Sequence, residues 1–184
     1  MEETVDKVAF WSLMEKTKRA NTANPDEQTE LLTQELVKLP EAEIIAFDEI
    51  FSELDNEAYD WNLWAAAYII NSGCSDDGFM DFRAWLIGQG KTIFEQALQD
   101  PQILVDVVEH PYLTRPLHLF AVASEAYTLK TGQEILRMVP KQPVRRVPTG
   151  DEWEESESVL REKYPKLYEK FGDCKEFLES LDMT

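Results

Sequence analysis

Histidine, cysteine and positive charge are all scarce in this chain. Its 184 residues include two His, two Cys and 18 Lys or Arg, against 36 Asp or Glu, so the formal net charge is −18. A chain with this charge repels nucleic-acid phosphates and anionic lipid surfaces. We therefore expect no direct binding of nucleic acid and no association with membranes.

The two cysteines, Cys74 and Cys174, are far apart and neither belongs to a CxxC motif. This usage is typical of reduced thiols in a cytoplasmic protein. The N-terminus lacks the basic and apolar regions of a secretory signal. The longest apolar run, Leu63–Ile70, is far shorter than the about 20 residues that span a bilayer. The sequence therefore predicts a cytoplasmic protein.

Recognisable catalytic motifs are missing as well. The chain has no Gly-rich phosphate loop and no GxSxG or HExxH string. His110 and His118 flank a proline-rich stretch at a spacing that matches no common metal site. No metal site and no cofactor are predicted, and the sequence leaves open whether the protein is an enzyme.

Apolar residues recur at helical spacing along most of the chain, and no segment alternates as a strand would. The first stripe contains Val8 and Trp11, which we expect to face the core. The fold class predicted is all-α, in a single globular domain. The predicted helices are Val5–Arg19, Pro25–Lys38, Glu41–Leu54, Trp61–Asn71, Asp76–Ile87, Lys91–Gln99, Gln102–Val108 and Leu117–Thr131.

Proline and charge divide the chain into three parts. Residues 1–138 are predicted to form a helical core domain, 139–150 a proline-rich basic arm, and 151–184 a short helical tail that packs on the core. The arm carries Lys141, Arg145 and Arg146 and no acid. These cations could bind an acidic partner, but we favour contacts with the protein's own acidic helices.

The segment Trp61–Gly90 joins two apolar helices through a short acidic turn. Gly73 is predicted to end the first helix in the left-handed conformation. Ser75 is the predicted N-cap of the second helix, with Asp76 and Asp77 in its first turn. Cap and helix dipole explain these residues without any function.

A functional interpretation uses the same segment. Asp77 and Asp81 are four residues apart on one helix face, where two carboxylates could bind a cation or supply a general acid or base. Arg83 could pair with Asp76 or with an acid of another helix. We favour a binding or interaction surface here, for a protein or a small-molecule ligand, over a small enzyme or metal-binding domain. The candidate site residues are Ser75, Asp76, Asp77, Asp81, Arg83 and Trp64.

Two other groups admit both a functional and a structural interpretation. Cys74 precedes a helix N-terminus, which can activate a thiol, but no partner base is evident and buried cysteines are common. Five aromatic residues could line a pocket, yet their helical spacing with aliphatic neighbours favours the core. They are Trp61, Trp64, Tyr68, Trp85 and Tyr127. No pattern indicates an oligomeric state.

The string GCSDDGFMDFRAWLIGQG, Gly73–Gly90, is long and chemically particular. Together with Phe10-Trp11, the Leu63–Ile70 helix and Gly150–Trp153, it resembles the uncharacterised bacterial domain of unknown function 4240 family. The resemblance extends over about Val5 to Phe171 and implies no particular activity.

Overall fold

The computed structural model describes residues 6–18, 25–109, 119–135 and 145–172, apart from the side chains of residues 25 and 26. His110, His118, Lys141 and Cys174 lie outside these ranges. The described residues form nine α-helices and one 3-10 helix, with an isolated bridge between Asp60 and Thr149 and no strand. The all-α prediction is confirmed. The elements are α1 Lys7–Thr17, α2 Pro25–Val37, α3 Glu41–Glu57, α4 Trp61–Ile70, α5 Asp76–Gly88, α6 Lys91–Gln99, the 3-10 helix η1 Pro101–Asp106, α7 Leu119–Thr131, α8 Glu157–Lys163 and α9 Pro165–Phe171.

Helix α5 connects two groups of packed helices. On one side α1, α2, α3 and α7 pack against one another, and on the other α4 packs with η1 and α9. Helix α5 contacts members of both groups, and its residues from Phe82 to Gly88 are all buried. In α4 the alanines Ala65–Ala67 are fully buried, as expected of a helix that is apolar on nearly all sides. No helix among the described residues is long and apolar enough to cross a membrane.

Three local predictions were wrong. Helix α3 does not end at Leu54 but continues to Glu57, which keeps Asp55 within the helix. The segment after Asp100 forms the 3-10 helix η1 rather than an α-helix. The Lys170 ammonium donates to the carbonyls of Val105 and Val108, at 2.5 and 2.8 Å, so a side chain of the tail satisfies oxygens at the end of this turn.

The third difference concerns the end of α4. Ser72, not Gly73, takes the left-handed conformation, with φ of 53°. The Gly73 N–H donates to the Tyr68 carbonyl at 2.9 Å and the Ser72 N–H to the Ile69 carbonyl at 3.4 Å. These two bonds form a Schellman motif displaced by one residue from the predicted position. Gly73 follows with φ of 132°, which an L side chain rarely adopts.

The segment 145–172, which includes the end of the arm and the start of the tail, packs on α4 and η1. Four of its apolar side chains are buried, namely Leu160, Tyr164, Leu167 and Phe171. Asp60 joins this segment to α4, because one carboxylate oxygen accepts from the Asn62 N–H at 2.8 Å and the other from the Thr149 hydroxyl at 2.9 Å. The Tyr164 hydroxyl donates to Asn62 Oδ1 at 2.7 Å.

Asp60→Ala should therefore destabilise the protein more than Asp6→Ala does. Both residues cap a helix through their side chains, but only Asp60 also binds the segment 145–172. We expect about 1 kcal/mol of lost unfolding free energy for Asp6→Ala and about 2–3 kcal/mol for Asp60→Ala. Urea denaturation followed by circular dichroism measures both, and equal losses would show that the Thr149 contact contributes nothing.

Candidate functional site

The predicted cap of α5 is confirmed. Ser75 Oγ accepts from the Gly78 N–H at 3.2 Å, and Asp76 and Asp77 lie in the first turn of the helix. All three side chains are exposed. Within the described structure, neither Asp76 nor Asp77 makes a hydrogen bond or an ion pair through its carboxylate. Beyond their position at the N-terminus of α5, these two carboxylates have no partner side chain in the described structure.

Arg83 has a different environment, since it is only 8% exposed. Its Nε and Nη2 donate to the two carboxylate oxygens of Asp55 on α3, at 2.8 and 3.1 Å. The guanidinium lies 4.7 Å from the centre of the Tyr59 ring and 4.9 Å from that of Phe79. Arg83 therefore pairs with an acid of another helix and not with Asp76.

Trp64 supports the turn between α4 and α5. Its ring stacks on Trp61 at a centroid distance of 5.2 Å and on Phe79 at 4.9 Å, with the planes nearly parallel. Its indole N–H donates to the Cys74 carbonyl at 3.0 Å. The side chain of Trp64 is half-buried, so it links the turn to α4 and still contributes to the surface.

The other aromatic residues of this region pack into the interior. Phe79 continues to Phe82 and Phe82 to Trp85, as one series of neighbouring rings. Tyr68 is not part of this series and contacts Trp153 of the tail, with 4.9 Å between the ring centres. The Nε1 of Trp153 is buried without a hydrogen-bond partner. Phe79, Phe82 and Trp85 thus belong to the buried core, while Tyr68 and Trp153 are half-buried and pack against it.

Cys74 is not an activated thiol. Burial raises the pKa of the Cys74 thiol to about 12; Arg83 acts in the opposite direction, and the charges of Asp81 and Asp76 raise the pKa further. A thiol with this pKa is protonated at neutral pH and is a poor nucleophile.

No group of three His, Cys, Asp or Glu suited to a metal occurs among the described residues. A groove lies between α1 and α6, and none of the predicted site residues lines it. One side of it carries Val8, which was expected to face the core but is 71% exposed.

The two cations of the arm that are described, Arg145 and Arg146, are both exposed. The backbone N–H of Arg145 donates to Asn56 Oδ1 at 2.7 Å. The described part of the arm, residues 145–150, thus contacts α3 through a backbone N–H, and its two arginines form no ion pair with a described residue.

Arg83→Met should destabilise the fold strongly, because it leaves the Asp55 carboxylate without its counter-charge and removes the cation that lies over the Tyr59 and Phe79 rings. We expect a loss of about 2–4 kcal/mol in unfolding free energy, since Asp55 stays partly exposed. The double variant Arg83→Met/Asp55→Leu should regain most of it. Chemical denaturation gives both values, and a loss below about 0.5 kcal/mol for Arg83→Met would contradict a structural role.

Stability should fall in alkaline solution. The hydrogen bond to Glu155 raises the pKa of Tyr68 to about 12, and burial with the nearby charge of Asp60 raises that of Tyr164 to about 12. The unfolded chain, with ordinary values near 10, loses these protons first. The contribution of each group to stability is complete below pH about 10 and is lost as pH rises towards about 12.

Denaturation curves across this range should show a smaller pH dependence for Tyr68→Phe and Tyr164→Phe than for the wild type. Tyr127→Phe on α7 is the control and should keep the wild-type dependence. A wild-type stability that stays constant through the alkaline range would contradict both assignments.

Comparison with known proteins gives one match. The model of a family described as "Protein of unknown function (DUF4240)" matches residues 5–129. This range begins before α1 and ends within α7, so it leaves out the segment 145–172 that packs on α4. No curated protein and no solved structure matches the chain. Since the match covers more than half of its residues, the chain belongs to the DUF4240 family.

Proposed function

We propose that this protein is a non-enzymatic binding protein of the bacterial cytoplasm. It binds a segment of a partner protein that carries both basic and apolar side chains. Its binding surface is the region around Gly73–Arg83. We call the exposed part of this region, formed by Ser75, Asp76, Asp77, Met80 and the outer edge of Trp64, the turn surface.

The observation that carries the proposal is the pair of uncommitted carboxylates at the start of α5. Asp76 and Asp77 are exposed and make no ion pair with another described residue. Met80 lies one helical turn further and is 39% exposed. Methionine adapts its shape to apolar partners, and carboxylates attract Lys and Arg. The combination suits a segment that carries both basic and apolar side chains.

The support beneath the turn surface is rigid. Trp64 holds the Cys74 carbonyl, and Arg83 ties α5 to α3 through two hydrogen bonds. A surface already held in one geometry loses little conformational entropy when a partner binds. The charge of the whole chain acts in the same direction, because a net charge of −18 accelerates the approach of a basic partner.

The alternative, a small enzyme or metal-binding domain that uses Asp76, Asp77, Asp81 and Arg83, receives less support. Nε and Nη2 of Arg83 both donate hydrogen bonds to Asp55, so these two nitrogens are not available to a ligand. Asp81 is partly buried and has interactions of its own. Only Asp76 and Asp77 remain to meet a ligand, and two exposed carboxylates fit ionic recognition of a partner better than catalysis.

The test uses a labelled peptide of alternating Lys and Leu, which cannot form an amphipathic helix, and fluorescence anisotropy. We expect Asp76→Asn/Asp77→Asn to weaken binding about tenfold and to reduce its dependence on salt. The control is Asp151→Asn/Glu152→Gln, which removes two exposed carboxylates of the tail segment and should bind like the wild type.

Equal binding by the wild type and both double variants would refute the proposal. A titration with Mg²⁺ and Ca²⁺ separates the alternative. Saturable binding of either ion that Asp77→Ala abolishes, with no change in melting temperature, would favour the metal-binding domain over the proposed function.

A further inference from the structure

A groove lies between α1 and α6, and none of the residues of the turn surface lines it. Its volume is ≈ 980 Å³. Three buried apolar side chains form the floor, Trp11 from α1, Leu54 from α3 and Phe94 from α6. The rings of Trp11 and Phe94 are 5.5 Å apart between centroids. Helices α1 and α6 thus flank an apolar floor in which the rings of Trp11 and Phe94 are neighbours.

The exposed face of α1 beside this floor carries one apolar and two polar side chains. Val8 lies one helical turn before Trp11 on α1 and is 71% exposed. Ser12 and Glu15 continue the same face at helical spacing, and both line the groove. An exposed valine beside an apolar floor extends the surface that a partner could bury.

The lysines along the groove are already paired. Lys7 lies 3.5 Å from Glu53, Lys16 2.5 Å from Glu35, and Lys91 3.7 Å from Glu95. Glu53 and Glu35 come from outside the lining, and Glu35 is shared, because Lys38 also lies 2.7 Å from it.

Two carboxylates of the lining, Glu15 and Glu57, form no ion pair with another described residue. Glu57 of α3 is exposed. Glu15 lies against the backbone of Gly90, so closely that a Cβ on residue 90 would be 2.1 Å from Glu15 Oε1. Gly90 has φ of 90°, and its lack of a side chain lets the carboxylate sit at the start of α6.

We propose that the groove between α1 and α6 binds an amphipathic α-helix of a partner protein. The partner's apolar side chains, at helical i, i+3 and i+4 spacing, pack on Val8 and the Trp11–Phe94 floor. Lys or Arg residues beside that stripe meet Glu15 and Glu57. The proposal is independent of the turn surface, since no residue of the turn surface lines the groove.

The probe is a labelled peptide of Leu and Lys with Leu at helical spacing, compared with a scrambled peptide of the same composition. We expect Val8→Lys to weaken binding of the helical peptide about tenfold. Leu129→Lys is the matched control. Leu129 is also 71% exposed, it lies on α7 outside the groove, and its substitution adds the same charge. Both variants should keep the wild-type melting temperature.

Each remaining outcome decides against the groove. Equal weakening by Val8→Lys and Leu129→Lys, or equal affinity for the scrambled peptide, would show attraction by net charge alone. Loss of binding in Asp76→Asn/Asp77→Asn but not in Val8→Lys would place the helical peptide on the turn surface. That result would overturn the inference while it supports the proposed function.

Discussion

The ion pair between Arg83 and Asp55 is the interaction on which the rest of the structure depends. It joins α5, which touches both groups of helices, to α3 in the first group. Burial of a lone guanidinium would be costly, but two hydrogen bonds and the faces of Tyr59 and Phe79 compensate it. Asp55 is inside α3, which continues to Glu57, so the ion pair joins two helices and not a helix and a loop.

In the turn between α4 and α5, groups that hold the backbone lie within a few residues of two carboxylates that are exposed to solvent. Trp64, the Ser75 cap and the Schellman bonds at Ser72 and Gly73 hold the backbone. The two carboxylates that follow the cap are left to solvent. A favourable interaction with the helix dipole explains why they are tolerated there, although it does not require both. The turn therefore presents the two exposed carboxylates on a backbone that several hydrogen bonds hold in place.

Much of this arrangement could be predicted from residue spacing. The stripes on α2 to α7 and the Ser75 cap depend on local geometry, so they were found with errors of a few residues at helix ends. Val8 was misplaced, because a valine in a helical stripe gives no sign that the neighbouring helix leaves a groove at that point. The conformation of the segment after Asp100 also depends on Lys170, which is remote in sequence.

By itself, the sequence determined the helical class, the acidic character of the surface and the order of cap, dipole and turn around Ser75. These properties follow from interactions between residues within a few positions of each other. Only the tertiary structure decided that Arg83 is spent on Asp55, that Cys74 stays protonated and that Asp76 and Asp77 remain free. The partner of a charge and the burial of a thiol depend on which helices meet, and contacts between distant segments determine that.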